Sequence, residues 1–449
     1  MTTRRYFGTD GIRGVAGEHP MTATFAYRLG VAAAETLKRA GVAKPRLTIG
    51  MDTRRSGPML AHALVAGLTA RGADALWLGV MPTPGVSHLT HALAADAGAV
   101  VSASHNPYRD NGIKFFNRDG EKLSDELEAG IEAVLAEDID ALVPVTGEEI
   151  GRSSRYRRDD GDYGRFLLSH APYLDGMKVG LDCANGAAYD IAPRVFTQIG
   201  ARLDVINAAP DGQNINVGCG STEPGALQER VRSHGLDVGV AFDGDADRAM
   251  LVDKRGRLVT GDQVLAICAV VRGEKEVVAT TMTNLGVERY LEGRGIVLHR
   301  EQVGDRYVFE GLKRRSLTVG GEQSGHMLFL DKAPTGDGIL TALQMLAAVR
   351  KSRRSLESWM DEIPVFPQTI RNVPVPVAQK NTVGTSPSVQ RAVRDAEAKL
   401  AGNGRINVRP SGTEPLVRIM VEGPTVEEIS AVAEIVAGEI EAALTGQPS

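Results

Sequence analysis

Short apolar runs alternate with stretches in which apolar residues return every three or four positions, and this alternation organises most of the chain. Leu47 to Ile49, Ala75 to Leu78 and Ala97 to Val101 read as strands. Between them, Pro58 suits a first helical turn after Ser56-Gly57, and Leu60, Leu64 and Leu68 fall on one face of the helix that follows. Ser124 precedes Leu127, Ile131, Val134 and Leu135 in the same way. Strand, loop and helix in this cadence predict a three-layer α/β domain. A polar stretch from Glu148 to Arg158 closes it.

The scheme then repeats. Lys178 to Asp182, Leu203 to Ile206 and Val238 to Phe242 are expected strands of a second segment. Ala249 to Val252 and Leu258-Val259, on either side of Lys254-Arg255-Gly256, predict a β-hairpin closing this segment and opening the next. The third has strands at Val277 to Thr280, Ile296 to His299 and Leu317 to Val319. Thr83-Pro84-Gly85-Val86 is faintly echoed by Asn284-Leu285-Gly286-Val287, each after a strand and before a helix, a hint of repeated domains. Pro364, Pro367, Pro374 and Pro376, with the polar Asn381 to Ser388 stretch, mark entry to a smaller unit. There Val389, Ala392, Val393, Ala396 and Leu400 form a helical stripe, a hairpin runs from Arg409 to Arg418, and Thr425-x-x-Glu428 caps a last helix. That combination predicts an α+β unit.

At 449 residues the chain has room for three or four domains with clefts between them. A formal net charge of −5 with both signs interspersed offers no electrostatic footprint for nucleic acid or an acidic membrane, so a small ligand is the expected partner. Cys183, Cys219 and Cys268 form no CxxC pair and are odd in number, as expected of a reduced, cytoplasmic protein. The first residues contain no apolar leader segment, and the longest apolar run, Val264 to Val271, is too short to span a bilayer.

Asp243-Gly-Asp245-Ala-Asp247-Arg248 follows directly on a strand, and carboxylates at alternate positions of a turn can converge on a hard cation, Mg²⁺ being the natural choice. An EF-hand is excluded, because the sixth and twelfth positions hold Arg248 and Lys254. A solvated acidic turn is the plain alternative. Ser104, in Ser102-Ala-Ser104-His105-Asn106-Pro107, stands where a strand hands over to a loop, so its hydroxyl is expected to be exposed for phosphoryl transfer. The alternative is a turn built from side-chain caps. In the following turn, Asp110-Asn-Gly-Ile-Lys114, the lysine could neutralise phosphate oxygens or take a hydroxyl proton. No Gly-x-Ser-x-Gly elbow surrounds Ser104. Arg409-Pro-Ser411-Gly412-Thr413-Glu-Pro415 gathers anion donors at a hairpin tip, with Arg418 on the next strand. Gly321-Glu322-Gln-Ser324-Gly-His326 offers groups that would hydrogen-bond sugar hydroxyls. Phe7-Gly-Thr-Asp-Gly-Ile-Arg13-Gly14 is a turn-rich loop with one cation.

Taken in order, these motifs resemble those of the α-D-phosphohexomutase superfamily, over the whole chain. Ser-Ala-Ser104-His-Asn-Pro resembles its phosphoserine loop, Asp243-Gly-Asp245-Ala-Asp247-Arg its Mg²⁺ loop, Gly-Glu322-Gln-Ser324-Gly-His326 its sugar loop and Arg409-Pro-Ser411-Gly-Thr413-Glu-Pro its phosphate loop. The N-terminal motif, Asp-Asn-Gly-Ile-Lys114-Phe-Phe, Cys183-Ala-Asn-Gly-Ala and Asn214-Ile-Asn-Val-Gly-Cys219-Gly-Ser-Thr are closest to the branch acting on glucosamine phosphates. Glu223 departs from it, standing where histidine is expected.

The resemblance implies four domains in a heart shape, three related α/β mixed-sheet domains and a C-terminal α+β domain. Their expected extents are 1–154 bearing the phosphoserine, 155–255 binding metal, 256–366 recognising sugar and 367–449 binding phosphate. It implies catalytic roles for Ser104, Lys114, Arg13, Arg248 and His326. One Mg²⁺ per chain would be held by Ser104, Asp243, Asp245 and Asp247. Substrate would be bound by Glu322, Ser324, Arg409, Ser411, Gly412, Thr413 and Arg418. The implied reaction interconverts glucosamine 6-phosphate and glucosamine 1-phosphate through a hexose 1,6-bisphosphate, on the route to UDP-N-acetylglucosamine and cell-wall precursors. It would proceed with no nucleic-acid or membrane partner and with a homodimer left open. Mannose or glucose phosphates as substrates, a Mg²⁺-dependent phosphatase using Asp243 as nucleophile, and a non-catalytic sugar-phosphate sensor are the rival readings.

Overall fold

The structure, a computed structural model, describes the chain except for residues 1–4, 9, 143–144, 158–161, 381, 401, 412–414 and 446–449. The chain forms two units. One comprises Met1–Met282 with Gly295–Met360, the other Thr283–Arg294 with Asp361–Ser449.

Among the described residues the first unit carries three mixed sheets. The first domain runs β1 (Ile12–Val15), α1 (Ala23–Arg39), β2 (Arg46–Met51), α2 (Gly57–Ala70), β3 (Asp74–Val80), α3 (Thr83–Ala92), β4 (Ala97–Val101), β5 (Asp110–Asn117), α4 (Asp125–Ala136) and β6 (Ser153–Arg155). Its sheet order is β1-β5-β4-β2-β3-β6, with β2, β3 and β4 parallel and β5 returning antiparallel to β4. After α5 (Asp162–Ser169), the second domain runs β7 (Lys178–Asp182), α6 (Ala188–Gln198), β8 (Arg202–Ile206), α7 (Gly225–His234), β9 (Val238–Phe242), β10 (Ala249–Asp253) and β11 (Leu258–Val259). In chain order the third follows with α8 (Gly261–Arg272), β12 (Glu276–Thr280), α9 (Leu285–Glu292), whose residues fall in the other unit, β13 (Val297–Glu301), α10 (Asp305–Arg315), β14 (Val319–Gly321), β15 (Met327–Phe329), α11 (Gly338–Ser352) and α12 (Leu356–Glu362).

One βαβαββ scheme recurs three times. The sheets read β5-β4-β2-β3, β10-β9-β7-β8 and β15-β14-β12-β13, each with a parallel core and an antiparallel last strand. The Ser104, aspartate and Glu322 loops therefore occupy the same topological position, the turn from the last parallel strand into its antiparallel partner.

The second unit adds β16 (Gln368–Pro374), α13 (Pro387–Leu400), β17 (Arg405–Pro410), β18 (Leu416–Glu422) and α14 (Val426–Thr445), with an antiparallel sheet ordered β16-β18-β17. The helical stripe expected from Val389 to Leu400 is buried in its core. Helix α9 belongs here by its contacts, since the buried Glu422 carboxylate accepts from Asn284 Nδ2 at 3.3 Å and Leu285 N at 3.3 Å.

Several expectations shift. Strand β6 pairs with β3 through Arg155, so the first sheet continues across 154/155. The hairpin expected to bridge the second and third segments lies wholly in the second sheet, because β11 pairs only with β10 there. The strand expected at Leu317 to Val319 begins at Val319, and Asp110 to Lys114, expected as a turn, is part of β5. Among the described residues no helix is long and apolar enough to cross a membrane.

Helices α1 and α2 approach closely enough that small residues are required at their crossing. A Cβ on Gly67 would lie 2.0 Å from Tyr27 O, and one on Gly30 2.2 Å from Leu64 O. Gly67→Ala is expected to destabilise the fold by about 1–3 kcal/mol through this overpacking. A lowered denaturation midpoint would show it; an unchanged midpoint would mean the helices separate at no cost.

Candidate active site

Ser104 lies just beyond β4, buried, with its backbone in the left-handed region at φ +52°. That conformation costs a non-glycine residue about 1–2 kcal/mol, so the surroundings must enforce it. It delivers the hydroxyl to the second domain: Ser104 Oγ donates to Asp243 Oδ2 at 2.6 Å. The approach depends on Gly244, where a Cβ would stand 2.6 Å from Ser104 O. His105 Nδ1 lies 3.2 Å from the same hydroxyl, and burial together with Arg248 and Arg13 pushes this imidazole down to about 4, so it is neutral near pH 7.

Asp243, Asp245 and Asp247 are buried, and one carboxylate oxygen from each falls within 4.8 Å of the others. The loop is gripped from several elements. Thr83, opening α3, donates through N to Asp245 O at 2.9 Å and through Oγ1 to Asp245 Oδ2 at 2.7 Å. Ala187 N donates to Gly244 O at 2.8 Å, Gly338 N to Ala246 O at 2.9 Å and Ala249 N to Gly325 O at 3.1 Å. Asp245 Oδ1 and Asp247 Oδ1 are buried without a hydrogen-bond partner among the described residues. Converging carboxylates with unsatisfied oxygens fit a hard divalent cation.

Burial, then Asp247 and Asp245, holds Asp243 well above the usual carboxylate range. Asp247 is raised by burial but lowered more by Lys114, His326 and Arg248, and ends below its ordinary value. Like charges crowded in one site separate their protonation in this way.

A ring of cations surrounds the triad. Lys114 Nζ, from β5, lies 3.1 Å from Asp245 Oδ2, 3.7 Å from Asp247 Oδ2 and 2.9 Å from Asp10 Oδ2. Burial would lower its pKa, but Asp10, Asp245 and Asp247 outweigh it and hold the ammonium above its usual range. Of the two roles open to Lys114, fixed cation and proton acceptor, the surroundings favour the first. Arg13 on β1 pairs with Asp10, and Arg248 Nε lies 3.8 Å from Asp247. The Nε atoms of Arg13 and Arg248 are buried without a hydrogen-bond partner among the described residues, donors suited to an anion. His326 sits between Asp247 at 3.7 Å and Asp305 at 3.5 Å; burial lowers it, but Asp247, Asp305 and Glu322 push it up to about 9, leaving an imidazolium.

Three members of this network escape sequence reasoning: Asp10, Lys122 and Asp305. Lys122 Nζ bridges Asp10 at 2.7 Å and Asp305 at 2.6 Å, tying the N-terminal loop to the start of α10. Lys122 beside Glu121 and Asp305 beside Arg306 look like ordinary surface charges, so the one available signal was Asp10 inside its glycine-rich motif.

On the loop from Glu322 to His326, Glu322 Oε1 accepts from Gly304 N at 3.0 Å, and Ser324 Oγ is buried without a hydrogen-bond partner among the described residues. A cavity of about 330 Å³ opens beside Lys114, Lys122, Asp305 and His326. In the second unit, Arg409 and Arg418 face one another across β17 and β18, and burial followed by Arg418 lowers the Arg409 pKa. Like charges directly opposite on neighbouring strands repel, and two guanidinium forks placed this way are suited to an anion. Ser411 is buried beside them, while Gly412 and Thr413 lie outside the described residues.

Removing one charge from the triad tests its fit to a cation. Asp245→Asn is expected to weaken Mg²⁺ binding, measured calorimetrically, by roughly 10–100-fold, the loss typical when even a supporting group around a metal is removed. Unchanged affinity would mean that the cluster is not the metal site.

Four family models match the chain in series, those of phosphoglucomutase/phosphomannomutase α/β/α domain I over residues 4–141, domain II over 163–256, domain III over 260–366 and the C-terminal domain over 372–439. It is 53% identical over 442 residues to a phosphoglucosamine mutase of Deinococcus deserti, covering 98% of this chain and 99% of that one. It is 51% identical to one of Thermus thermophilus, over 93% of this chain and 94% of the relative. A crystal structure of a phosphoglucomutase/phosphomannomutase family protein from Burkholderia thailandensis shares the fold, with a TM-score of 0.83 at 24% identity over 100% and 99% of the two chains. So does the N-acetylphosphoglucosamine mutase of Aspergillus fumigatus in complex with GlcNAc-6P and magnesium, with a TM-score of 0.71 at 18% identity over 98% and 96%. In its serial domains, repeated loops and nearly full-length relatives, the chain belongs to the phosphoglucomutase/phosphomannomutase family of α-D-phosphohexomutases, alongside the phosphoglucosamine mutases.

Proposed function

We propose that this enzyme interconverts glucosamine 6-phosphate and glucosamine 1-phosphate through a phosphoserine at Ser104 and a 1,6-bisphosphate intermediate. The observation that carries the reading is the Ser104 hydroxyl 2.6 Å from Asp243, inside a buried aspartate triad ringed by cations. The choice of amino sugar rests on the relatives of about half identity, all named phosphoglucosamine mutases.

Phosphorylated Ser104 passes its phosphoryl group to the free hydroxyl of the bound monophosphate: the seryl O–P bond breaks as the sugar O–P bond forms, the hydroxyl proton ends on the freed seryl oxygen, and the resulting bisphosphate turns end for end. The reverse transfer restores phosphoserine and releases the isomer. Asp243, Asp245 and Asp247, with the seryl oxygen, would hold Mg²⁺, which when bound offsets charge on the transferring group. Lys114, Arg13 and Arg248 add fixed positive charge where phosphoryl oxygens collect. His326, an imidazolium braced by Asp247 and Asp305, belongs to the same field. Glu322 and Ser324 are assigned the sugar hydroxyls. In the second unit, Arg409, Ser411 and Arg418, with Gly412 and Thr413, are assigned the phosphate that does not react.

Asp243 is poorly disposed to act as a phosphatase nucleophile. Its Oδ2 accepts from the Ser104 hydroxyl and its Oδ1 from Arg248 N at 3.2 Å. Three buried free cysteines support a reducing, cytoplasmic setting.

Ser104→Ala is expected to abolish interconversion while sugar-phosphate binding persists; substantial mutase turnover in that variant would remove the phosphoserine. Turnover of glucosamine 6-phosphate is expected to exceed that of glucose and mannose 6-phosphates when each assay is primed with a trace of glucose 1,6-bisphosphate. Equal rates would move the chain's function to the broader hexose mutases.

A further inference from the structure

The left-handed geometry of Ser104 is imposed from beneath by a residue outside the charge network. Arg54, in the turn after β2, has a side chain with 0% exposure, as has its partner Asp52. A guanidinium carries five N–H donors, and all five are used. Nε donates to Asp52 Oδ2 at 2.9 Å, Nη2 to Ser104 O and Asn106 O, both at 2.8 Å, and Nη1 to Asp110 O at 3.1 Å and to Pro107 O. Four carbonyls of the serine loop thus converge on one side chain.

The peptide on the other side of Ser104 leads back to the same pair. Ser104 N donates to Ser102 Oγ at 2.9 Å, and Ser102 Oγ donates to Asp52 Oδ2 at 2.6 Å. A second donor reaches the serine carbonyl from the second domain: Asn216 Nδ2 lies 2.9 Å from Ser104 O and 3.3 Å from Asn106 O. Because each residue has only two soft backbone dihedrals, pinning the peptides on both sides of Ser104 Cα fixes the direction of Cβ and hence of Oγ.

We propose that Arg54, with Asn216 as its counterpart from the second domain, is a positioning residue that holds Ser104 in the conformation required for phosphoryl transfer. The inference rests on the phosphoserine reading above. Arg54 has no exposed surface with which to touch a sugar phosphate, so its effect falls on kcat and leaves KM alone. Lysine cannot replace it, since an ammonium supplies three donors from one point and no planar fork.

The test uses the full-length enzyme with Mg²⁺ and a glucose 1,6-bisphosphate primer. Wild type, Arg54→Lys and Asn216→Ala are compared for steady-state kinetics on glucosamine 6-phosphate, Ser104 phosphate by mass spectrometry, and melting temperature. Displacing a reacting group by about 1 Å can cost roughly 100-fold, so Arg54→Lys is expected to lose about 100-fold in kcat and Asn216→Ala about tenfold, with KM within about threefold. Either variant keeping kcat within about twofold of wild type, or losing efficiency through KM alone, overturns the proposal. Should Arg54→Lys fail to fold, Asn216→Ala decides by the same criteria. If instead wild type turns over with no phosphate on Ser104, the phosphoserine reading itself fails.

Discussion

Three carboxylates buried within 4.8 Å of one another repel, and the organisation of the first unit around them is a response to that repulsion. Charges removed from water must be paired with good geometry or they destabilise the fold. Lys114, Arg248 and His326 stand against the aspartates; Asp10 and Asp305 stand behind those cations; Arg13 and Lys122 stand behind the second acids. The signs alternate outward through loops and strands of all three α/β domains. Such a field suits a reaction in which a doubly charged group moves between two oxygens, because the compensating charges are in place before the group arrives.

The repeated βαβαββ unit explains how loops so distant in sequence reach one place. Each loop connects a buried parallel strand to an antiparallel strand hydrogen-bonded beside it, so both ends are anchored in a sheet. Val101 pairs with Ile113, Phe242 with Ala249 and Gly321 with Met327 across the three turns. A loop held at both ends can bear side chains and backbone conformations that a free loop would relax, the left-handed Ser104 among them.

Legibility differed by kind of residue. The strands Ala97–Val101 and Val238–Phe242, continuous apolar runs buried on both faces, were found with their observed bounds, as was Lys178–Asp182 with its apolar centre. The first residues of β5, Asp110 to Lys114, were read as turn-like, since Asp110-Asn-Gly resembles a turn and the strand's pairing is set by β4 and β1 rather than by its own composition. Motifs that concentrate chemistry in a few adjacent residues, the aspartate loop and the Ser104 loop, were visible. Asp10, Lys122, Asp305 and Arg54 were not, because a charged residue among polar neighbours looks the same in sequence whether it meets solvent or a partner distant along the chain.

By itself the sequence determined most of the elements, the order of the loops and the chemical types they carry, for these follow from local periodicity and turn chemistry. Tertiary structure alone decided which charges hold the Lys114 ammonium above its usual range, which push the His105 imidazole down to about 4 and that of His326 up to about 9, and that Ser104 meets Asp243 across 139 positions of chain. Protonation and direction depend on which charges and backbone groups surround a side chain in space, and folding chooses those neighbours from distant parts of the chain.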